Sequence, residues 1–149
     1  MTETETPRVL VVEDDEAVRG FLMRALEQAG CEPVPARTGE EALSMLHQGL
    51  EAAVVLIDGL LPDMHGIRLA RDLLAEPAAA TVAICFVSGA IREHVPPQAG
   101  IGALSKPLRY RELLKTVEQL LQWHRNPAGS PEARATWLNQ LETTFVVGP

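Results

Sequence analysis

Five polar side chains of this sequence stand within two positions of the end of a short apolar run. The clearest case is Asp58, which follows the apolar run Ala52–Ile57 and precedes the strand-breaking Pro62. A continuous apolar run of this length suits a strand that is covered on both faces. An acid after a single strand can simply cap a turn, so the pattern counts because it recurs. The residues that share it are Glu13, Asp14, Asp58, Ser88 and Lys106.

Gathered in one place, side chains of these types favour a particular chemistry. Three carboxylates repel one another unless a cation joins them or one of them is protonated. Carboxylate, carbonyl and water oxygens are the ligands that Mg²⁺ prefers. A lysine and a hydroxyl opposite them supply the positive charge and the hydrogen bond that suit a phosphoryl group. The chain has only two lysines, Lys106 and Lys115, so a lysine directly after a buried strand is poorly explained as a solvating residue.

The elements that would position these residues alternate along the chain. Five strand-like runs are separated by segments with apolar residues at helical spacing. This alternation predicts an α/β fold, a doubly wound five-stranded parallel sheet with helices on both faces and all strand carboxyl ends at one edge. The second strand, Glu32–Ala36, holds two prolines and is expected at the edge of the sheet, which fits the order 2-1-3-4-5. Pro96 and Pro97 predict that the fourth helix is shortened.

Several other polar residues have a structural interpretation. Asp15 is expected to cap the first helix, and Thr38 with Glu41 forms a capping box for the second. His65 is expected to be an exposed histidine at a helix start rather than a metal ligand. The remaining histidines stand at no ligand spacing and are interpreted as structural: His47, His94 and His124.

Composition narrows the class of protein. The 149 residues, 46% hydrophobic and only 4% aromatic, predict one domain with an aliphatic core. A net charge of −7 without a dense basic run argues against direct DNA binding and against an anionic membrane surface. Cys31 and Cys85 stand at no metal-binding spacing, and no disulfide is expected. The polar, acidic start is unlike a signal peptide and no apolar run is long enough to span a bilayer, so we expect a cytoplasmic location.

The chain resembles the receiver domain of bacterial two-component response regulators. The resemblance covers roughly Arg8 to His124 and is carried by four motifs: Val9-Leu-Val-Val-Glu-Asp14, Asp58-Gly-Leu-Leu-Pro-Asp-Met-His-Gly66, Ser88-Gly-Ala and Lys106-Pro107. It implies that Asp58 accepts a phosphoryl group from the phosphohistidine of a histidine kinase. By the same match, Lys106 would pair with phosphoryl oxygens and the Ser88 hydroxyl would turn to them as a switch. The implied Mg²⁺ ligands are Glu13, Asp14, Asp58 and the backbone carbonyl of Leu60.

Two departures from the family pattern concern the output side of the domain. Three residues before the lysine of the fifth strand, the family usually carries Tyr or Phe, and this chain has Ala103. The spacing from Ser88 to Lys106 is also shorter than usual, by roughly one helical turn. Both changes fall on the face that receivers use for output, so they put the usual signalling surface in question and leave the chemistry intact.

The sequence predicts three parts, a flexible N-terminus at 1–7, a receiver domain at 8–125 and a C-terminal extension at 126–149. The extension begins with a Pro/Gly/Ser linker and holds a candidate short helix, Glu132–Leu141. It is too apolar for a free tail, so it should pack on its own domain or on a second subunit, which leaves a homodimer open.

The predicted function is that of a single-domain response regulator, which at most catalyses its own phosphorylation and dephosphorylation. Its expected partners are a histidine kinase or phosphotransfer protein and a downstream protein target, reached by protein contact or phosphorelay. One alternative is a receiver-fold interaction module that phosphorylation does not switch. A second is a phosphatase with an aspartyl nucleophile, which is disfavoured because Gly59 and Leu60 offer no general acid beside Asp58.

Overall fold

The computed structural model describes residues 6–145, and at its centre lies a sheet of six strands. In the order β2-β1-β3-β4-β6-β5, the first five strands are parallel and β5 joins β6 antiparallel at the edge. The predicted flexible N-terminus falls largely outside the described residues, and so does the end of the predicted extension, residues 146–149. The strands are β1 (Arg8–Val12), β2 (Glu32–Ala36), β3 (Val54–Asp58), β4 (Ala83–Ser88), β5 (Val95–Gln98) and β6 (Ile101–Ser105).

Helices cover both faces of this sheet, as the alternation in the sequence predicts. Strand side chains alternate between two apolar cores, because successive residues of a strand point to opposite faces. One core joins the sheet to α1 and α4, and the other joins it to α2, α3 and α5. The helices of the described residues are α1 (Glu16–Gln28), α2 (Gly39–His47), α3 (Gly66–Leu74), α4 (Tyr110–Arg125) and α5 (Pro131–Glu142), with a 3-10 turn at Pro77–Ala79.

Local sequence signals account for the edge strand and the helix starts. The strand β2, with its two prolines, pairs only with β1, as expected for a strand that cannot donate from those positions. The Asp15 carboxylate accepts from the Val18 amide at 3.0 Å and caps α1. The Thr38 hydroxyl accepts from the Glu41 amide at 3.0 Å, while the Glu41 carboxylate reaches back to the amide of Arg37. Both predicted caps are therefore present.

The predicted shortened fourth helix is wrong, because no helix forms between β4 and β6. The chain instead turns after Ser88 and returns as the short strand β5, antiparallel to β6. Proline cannot donate a backbone hydrogen bond, so Pro96 and Pro97 are excluded from a helix interior but fit an edge strand. The turn into β6 uses Gly100 at φ +74°, with the Trp123 ring packed where a side chain would stand. The predicted fifth strand is therefore β6, and β5 is an addition to the predicted sheet.

The C-terminal helix α5 covers the sheet face beside α3 and β6, where the missing helix leaves the core open. Leu138 and Leu141 are each 1% exposed in that core, and Phe145 follows them into it. The helix predicted over Glu132–Leu141 is thus observed, and it packs on its own domain. None of the helices within residues 6–145 has the length and apolar character needed to cross a membrane.

Candidate functional site

The carboxyl ends of the parallel strands bring the five predicted side chains to one edge of the sheet. Asp58 ends β3 and pairs in register with Val87, one residue before Ser88. Ser88 ends β4 and pairs with Ser105, one residue before Lys106. The Lys106 amide also donates to the Ser88 carbonyl at 3.1 Å. Glu13 and Asp14 follow β1, the other neighbour of β3.

Three carboxylates form a cluster at this edge. Glu13, Asp14 and Asp58 each offer one oxygen, and these oxygens all lie within 4.8 Å of one another. Glu13 and Asp58 are buried, whereas Asp14 is exposed to solvent. An all-oxygen set with one open side fits a hard divalent cation that keeps several of its waters. The Leu60 amide approaches an Asp58 oxygen at 3.4 Å, while the role of the Leu60 carbonyl as a ligand stays a prediction.

The position of Glu13 makes its negative charge costly. Burial, together with the charge of Asp58, raises the pKa of the Glu13 carboxyl to about 7, although the Asp15 amide and Lys106 act in the opposite direction. The Arg19 guanidinium donates to the carbonyl of Glu13 at 2.9 Å and to that of Asp14 at 3.3 Å. The Arg19 hydrogen bonds to these carbonyls therefore hold the loop after β1 in place, although the carboxylates of Glu13 and Asp14 repel each other.

Lys106 lies directly against this cluster. Its Nζ stands 3.1 Å from Glu13 Oε1 and 3.7 Å from Asp58 Oδ1. A single ammonium group between two carboxylates cannot neutralise all three acids, so negative charge remains at the site. That residual charge favours the binding of a cation.

The Ser88 hydroxyl is buried on the opposite side of Asp58 from the acidic loop of β1. Its Oγ accepts from the Ala90 amide at 3.0 Å. A side chain on Gly59 would begin 2.6 Å from this Oγ, so glycine at 59 allows the hydroxyl to stand beside the acceptor strand. The predicted switch hydroxyl is thus next to Asp58 and is held by its own loop.

The sequence did not place Phe145 at this site, although it predicted that the extension would pack either on its own domain or on a second subunit. The Phe145 ring carbon Cε1 also lies 2.6 Å from the point where a Gly59 side chain would begin. The ring makes edge contacts with Phe86, at a centroid distance of 5.5 Å, and with His65, at 5.0 Å. The only feature of the sequence that pointed to Phe145 was that it is an aromatic residue in an apolar tail with no other explanation.

The residues interpreted as structural keep that role. His65 is exposed and caps α3, because its Nδ1 accepts from the Ile67 amide at 3.1 Å. None of the other histidines reaches the cluster of three carboxylates at the site. His94 accepts from the Ser105 amide, His47 pairs with Glu76, and His124 contacts the Thr81 carbonyl.

Asp63, which the sequence singled out only as part of a motif, binds the start of α2. Its carboxylate accepts from the amides of Gly39 at 3.0 Å and Glu40 at 2.9 Å. Desolvation acts to raise its pKa, but these two hydrogen bonds outweigh it and lower the pKa below its usual value. Asp63 thus joins the loop after Asp58 to a neighbouring helix.

Ala103, which replaces the usual aromatic residue, is buried in the sheet rather than free to move. It pairs with Phe86 of β4 on one side and with Val95 of β5 on the other. The face beside it is covered by α5. Ala103, the departure that was predicted to change the output surface, therefore lies on the face of the sheet that α5 covers.

Comparison with known proteins agrees with this fold. The model of the response regulator receiver domain family matches residues 9–118. The chain therefore belongs to the response regulator receiver domain family. Its sheet order, apart from the added β5, and its helices on both faces are those of the receiver fold.

Three similar proteins show how far the likeness extends. The chain is 35% identical over 119 residues to the sensor kinase CckA of Brucella abortus (strain 2308), covering 76% of this chain but only 12% of that protein. It is 32% identical over 118 residues to the response regulator receiver protein CpdR of the same organism, covering 76% of this chain and 96% of that protein. A CheY-like receiver domain from Methylobacillus flagellatus matches with a TM-score of 0.65 and 25% identity, covering 78% and 99%.

Proposed function

We propose that this receiver domain accepts a phosphoryl group on Asp58 in a Mg²⁺-dependent reaction. The donor is the phosphohistidine of a histidine kinase or of a phosphotransfer protein. The observation that carries the proposal is the placement of Asp58 Oδ1 beside Lys106 Nζ, at 3.7 Å, within a cluster of three carboxylates. A structural acid would need neither the lysine nor the two further acids.

In the proposed reaction an Asp58 oxygen attacks phosphorus as the bond from phosphorus to the histidine nitrogen breaks. The electron pair of that bond stays with the imidazole, which then takes up a proton. Glu13, Asp14 and Asp58 would hold Mg²⁺, with the Leu60 carbonyl as a further ligand, and the ion supplies neutralisation of the charge on the transferring group. Lys106 moves from its carboxylate partners to a phosphoryl oxygen, and Ser88 donates its hydroxyl to another.

Loss of the phosphoryl group should be slow. Leu60 and Ala90 are the residues two positions after the acceptor and two after the switch hydroxyl. Neither side chain can hydrogen-bond a water molecule, so neither can orient it for attack on phosphorus. The domain would therefore act as a phosphoprotein regulator and not as an enzyme on other substrates.

The proposed setting is the cytoplasm, where the domain works as a single-domain regulator. It passes its signal to a downstream protein by contact or hands the phosphoryl group on in a phosphorelay. The similarity to CpdR and to the receiver of the kinase CckA supports a partner of the two-component class. The net charge of −7 supports a protein partner rather than DNA.

A receiver-fold interaction module without phosphoryl switching is the second candidate. Ala103 and the absence of a helix between β4 and β6 favour it, because both change the face that would respond to the phosphoryl group. The complete set of Glu13, Asp14, Asp58, Ser88 and Lys106 favours the first proposal.

Incubation with phosphoramidate and Mg²⁺, followed by intact mass measurement, separates these functions. The proposal expects a stable adduct of one phosphoryl group that is absent in Asp58→Asn and in EDTA. No adduct in the wild-type protein would favour the interaction module. Continuous turnover of the donor without an adduct would instead indicate a phosphatase.

A further inference from the structure

Phe145 touches the acceptor strand from a part of the chain remote in sequence. Its Cε1 and the Ser88 Oγ each lie 2.6 Å from the same point, the place where a Gly59 side chain would begin. The ring edge and the hydroxyl are therefore neighbours, directly beside the residue that follows Asp58. Any side chain at position 59 would displace both of them.

Phe145 is also joined to the loop that carries Ser88. Its backbone forms an isolated antiparallel bridge with Ile91, three residues after the hydroxyl. Ile91 is buried, and its carbonyl accepts from the Ser105 hydroxyl at 2.8 Å. A movement of the loop after Ser88 would therefore displace Phe145 through two contacts. The first is between the ring and the Ser88 hydroxyl, and the second is the backbone bridge to Ile91.

The helix that precedes Phe145 is anchored far from the site. The Arg134 guanidinium donates to the carbonyls of Val82 at 2.6 Å and Ala99 at 2.8 Å, near the opposite end of the sheet. The Trp137 indole donates to the Ile101 carbonyl at 2.7 Å. The end of α5 is held as well, because Arg71 of α3 contacts Glu142 and donates to the side-chain oxygen of Asn139 at 3.0 Å. With the helix fixed along its length, a change in position at Phe145 is confined to the short turn that follows Glu142.

We propose that Phe145 is a positioning residue of the phosphoryl site, and that its docking against Gly59 and the occupancy of Asp58 by a phosphoryl group stabilise each other. This inference rests on the proposed phosphorylation of Asp58. When the Ser88 hydroxyl turns toward the phosphoryl group, it leaves the volume beside Cε1, and the ring moves into it. The edge of an aromatic ring carries partial positive charge, so it tolerates the added negative charge. The docked ring also keeps water from that side of the acyl phosphate.

Such coupling is reciprocal: if phosphoryl occupancy favours docking, docking must favour occupancy by the same factor. Removal of the ring should therefore weaken the phosphorylated state. We expect Phe145→Ala to weaken the binding of beryllofluoride about fivefold or more, the lower end of typical couplings. The lifetime of the aspartyl phosphate should shorten as well, because without the ring water reaches that side of the acyl phosphate. Phe145→Leu keeps an apolar side chain in the core and serves as a second variant in case Phe145→Ala unfolds. Its phosphoryl lifetime should lie between those of the wild type and Phe145→Ala.

The experiment measures the full chain with Mg²⁺, with and without beryllofluoride as a phosphoryl mimic, by hydrogen exchange and thermal unfolding. In the wild type, exchange of amides 143–145 should slow when beryllofluoride binds. The rise in melting temperature caused by beryllofluoride should be smaller in Phe145→Ala than in the wild type. If the role of Phe145 were purely structural, this rise would be the same in both proteins. Thr136→Ala, at an exposed position of the same helix, is the matched control and should behave as the wild type.

Two adverse outcomes are distinguishable. A wild-type protein that takes up neither beryllofluoride nor a phosphoryl group overturns the proposed function and this inference with it. A wild type that is phosphorylated, with exchange at 143–145 unchanged or faster and with the same phosphoryl lifetime in both Phe145 variants, overturns the inference alone.

Discussion

Glu13 is the residue of the site whose negative charge is least favourable. It is 1% exposed and close to Asp58, and within residues 6–145 its one cationic partner is the Lys106 ammonium. A carboxyl group in such a place gains from protonation or from a nearby divalent cation. Both routes lead to measurable changes in stability.

The raised pKa of Glu13 predicts how stability depends on pH without divalent metal. Because the folded-state pKa of about 7 exceeds the ordinary value of 4.5, folding is favoured while the carboxyl keeps its proton. This contribution is lost as the pH rises through 7. The free energy of unfolding in EDTA should fall by roughly 1 kcal/mol between pH 6 and pH 8 from this group alone.

Glu13→Gln, which keeps the shape without the charge, should remove this part of the pH dependence. Urea unfolding at the two pH values measures it. Glu16→Gln, at an exposed position, is the matched control and should retain the wild-type pH dependence. An identical pH dependence in Glu13→Gln and the wild type would show that Glu13 titrates normally.

Leu60 is expected to set the lifetime of the phosphorylated state. It is 61% exposed beside the acceptor and offers no hydrogen bond to water. Leu60→Asn should accelerate loss of the phosphoryl group several-fold, because its amide can orient a water molecule, and Ala90→Glu should do the same. Intact mass measured over time after removal of the donor gives the rate.

Leu60→Met is the control for that rate, since it changes the side chain without adding a hydrogen-bonding group of comparable strength. Equal decay in Leu60→Asn and Leu60→Met would refute the explanation. So would a wild-type aspartyl phosphate that decays within seconds.

At the scale of elements, α5 has taken over part of the core that lies open where no helix forms between β4 and β6. Its attachment depends on a buried cation, Arg134, that pairs with no carboxylate among the described residues. Burial lowers the pKa of the Arg134 guanidinium to about 10, yet backbone carbonyls and the face of Trp123, 4.4 Å from the guanidinium carbon, surround it. The hydrogen bonds to carbonyls offset much of the cost of burying the charge.

Arg134→Ala should therefore destabilise the protein by about 2–3 kcal/mol, because it leaves buried carbonyls without donors and a space beside Trp123. Denaturant unfolding measures the change. Arg92→Ala, at an exposed position, should change stability by less than about 0.5 kcal/mol. If the two variants were equally stable, α5 would not be an integral part of the domain.

At the scale of the whole molecule, the acidic cluster links metal binding to folding. A cation that binds only the folded state stabilises it by mass action, by about 2.7 kcal/mol at one hundred times its dissociation constant. Millimolar Mg²⁺ should raise the melting temperature by several degrees. Asp58→Asn should stabilise the metal-free protein and reduce this response, because one of the three acids is removed.

Sodium chloride at equal ionic strength is the control, since it screens charge without binding the cluster. If it raised the melting temperature as much as Mg²⁺ does, specific binding would be excluded. A larger Mg²⁺ response in Asp58→Asn than in the wild type would place the ion elsewhere.

The order of apolar runs and the residues that end them determined most of the fold and of the site. Runs such as Ala52–Ile57 leave no polar face, so they predict buried parallel strands, and parallel strands necessarily bring their carboxyl ends to one edge. For that reason Asp58, Ser88 and Lys106 could be placed together before any distance was known. The prolines of Glu32–Ala36 likewise placed that strand at an edge, because proline cannot donate to a neighbour on both sides.

Tertiary structure alone decided what replaces the fourth helix. Pro96 and Pro97 exclude a long helix, but they do not say whether the segment becomes a shortened helix, a loop or an edge strand, since that depends on the unpaired edge of β6. The site contact of Phe145 was equally hidden. It depends on contacts between residues more than fifty positions apart, Phe145 with Gly59 and Ser88, and such contacts leave no periodic pattern in a single sequence. Local spacing specifies elements, whereas the partner of an apolar tail is chosen by the volume that the rest of the fold leaves unfilled.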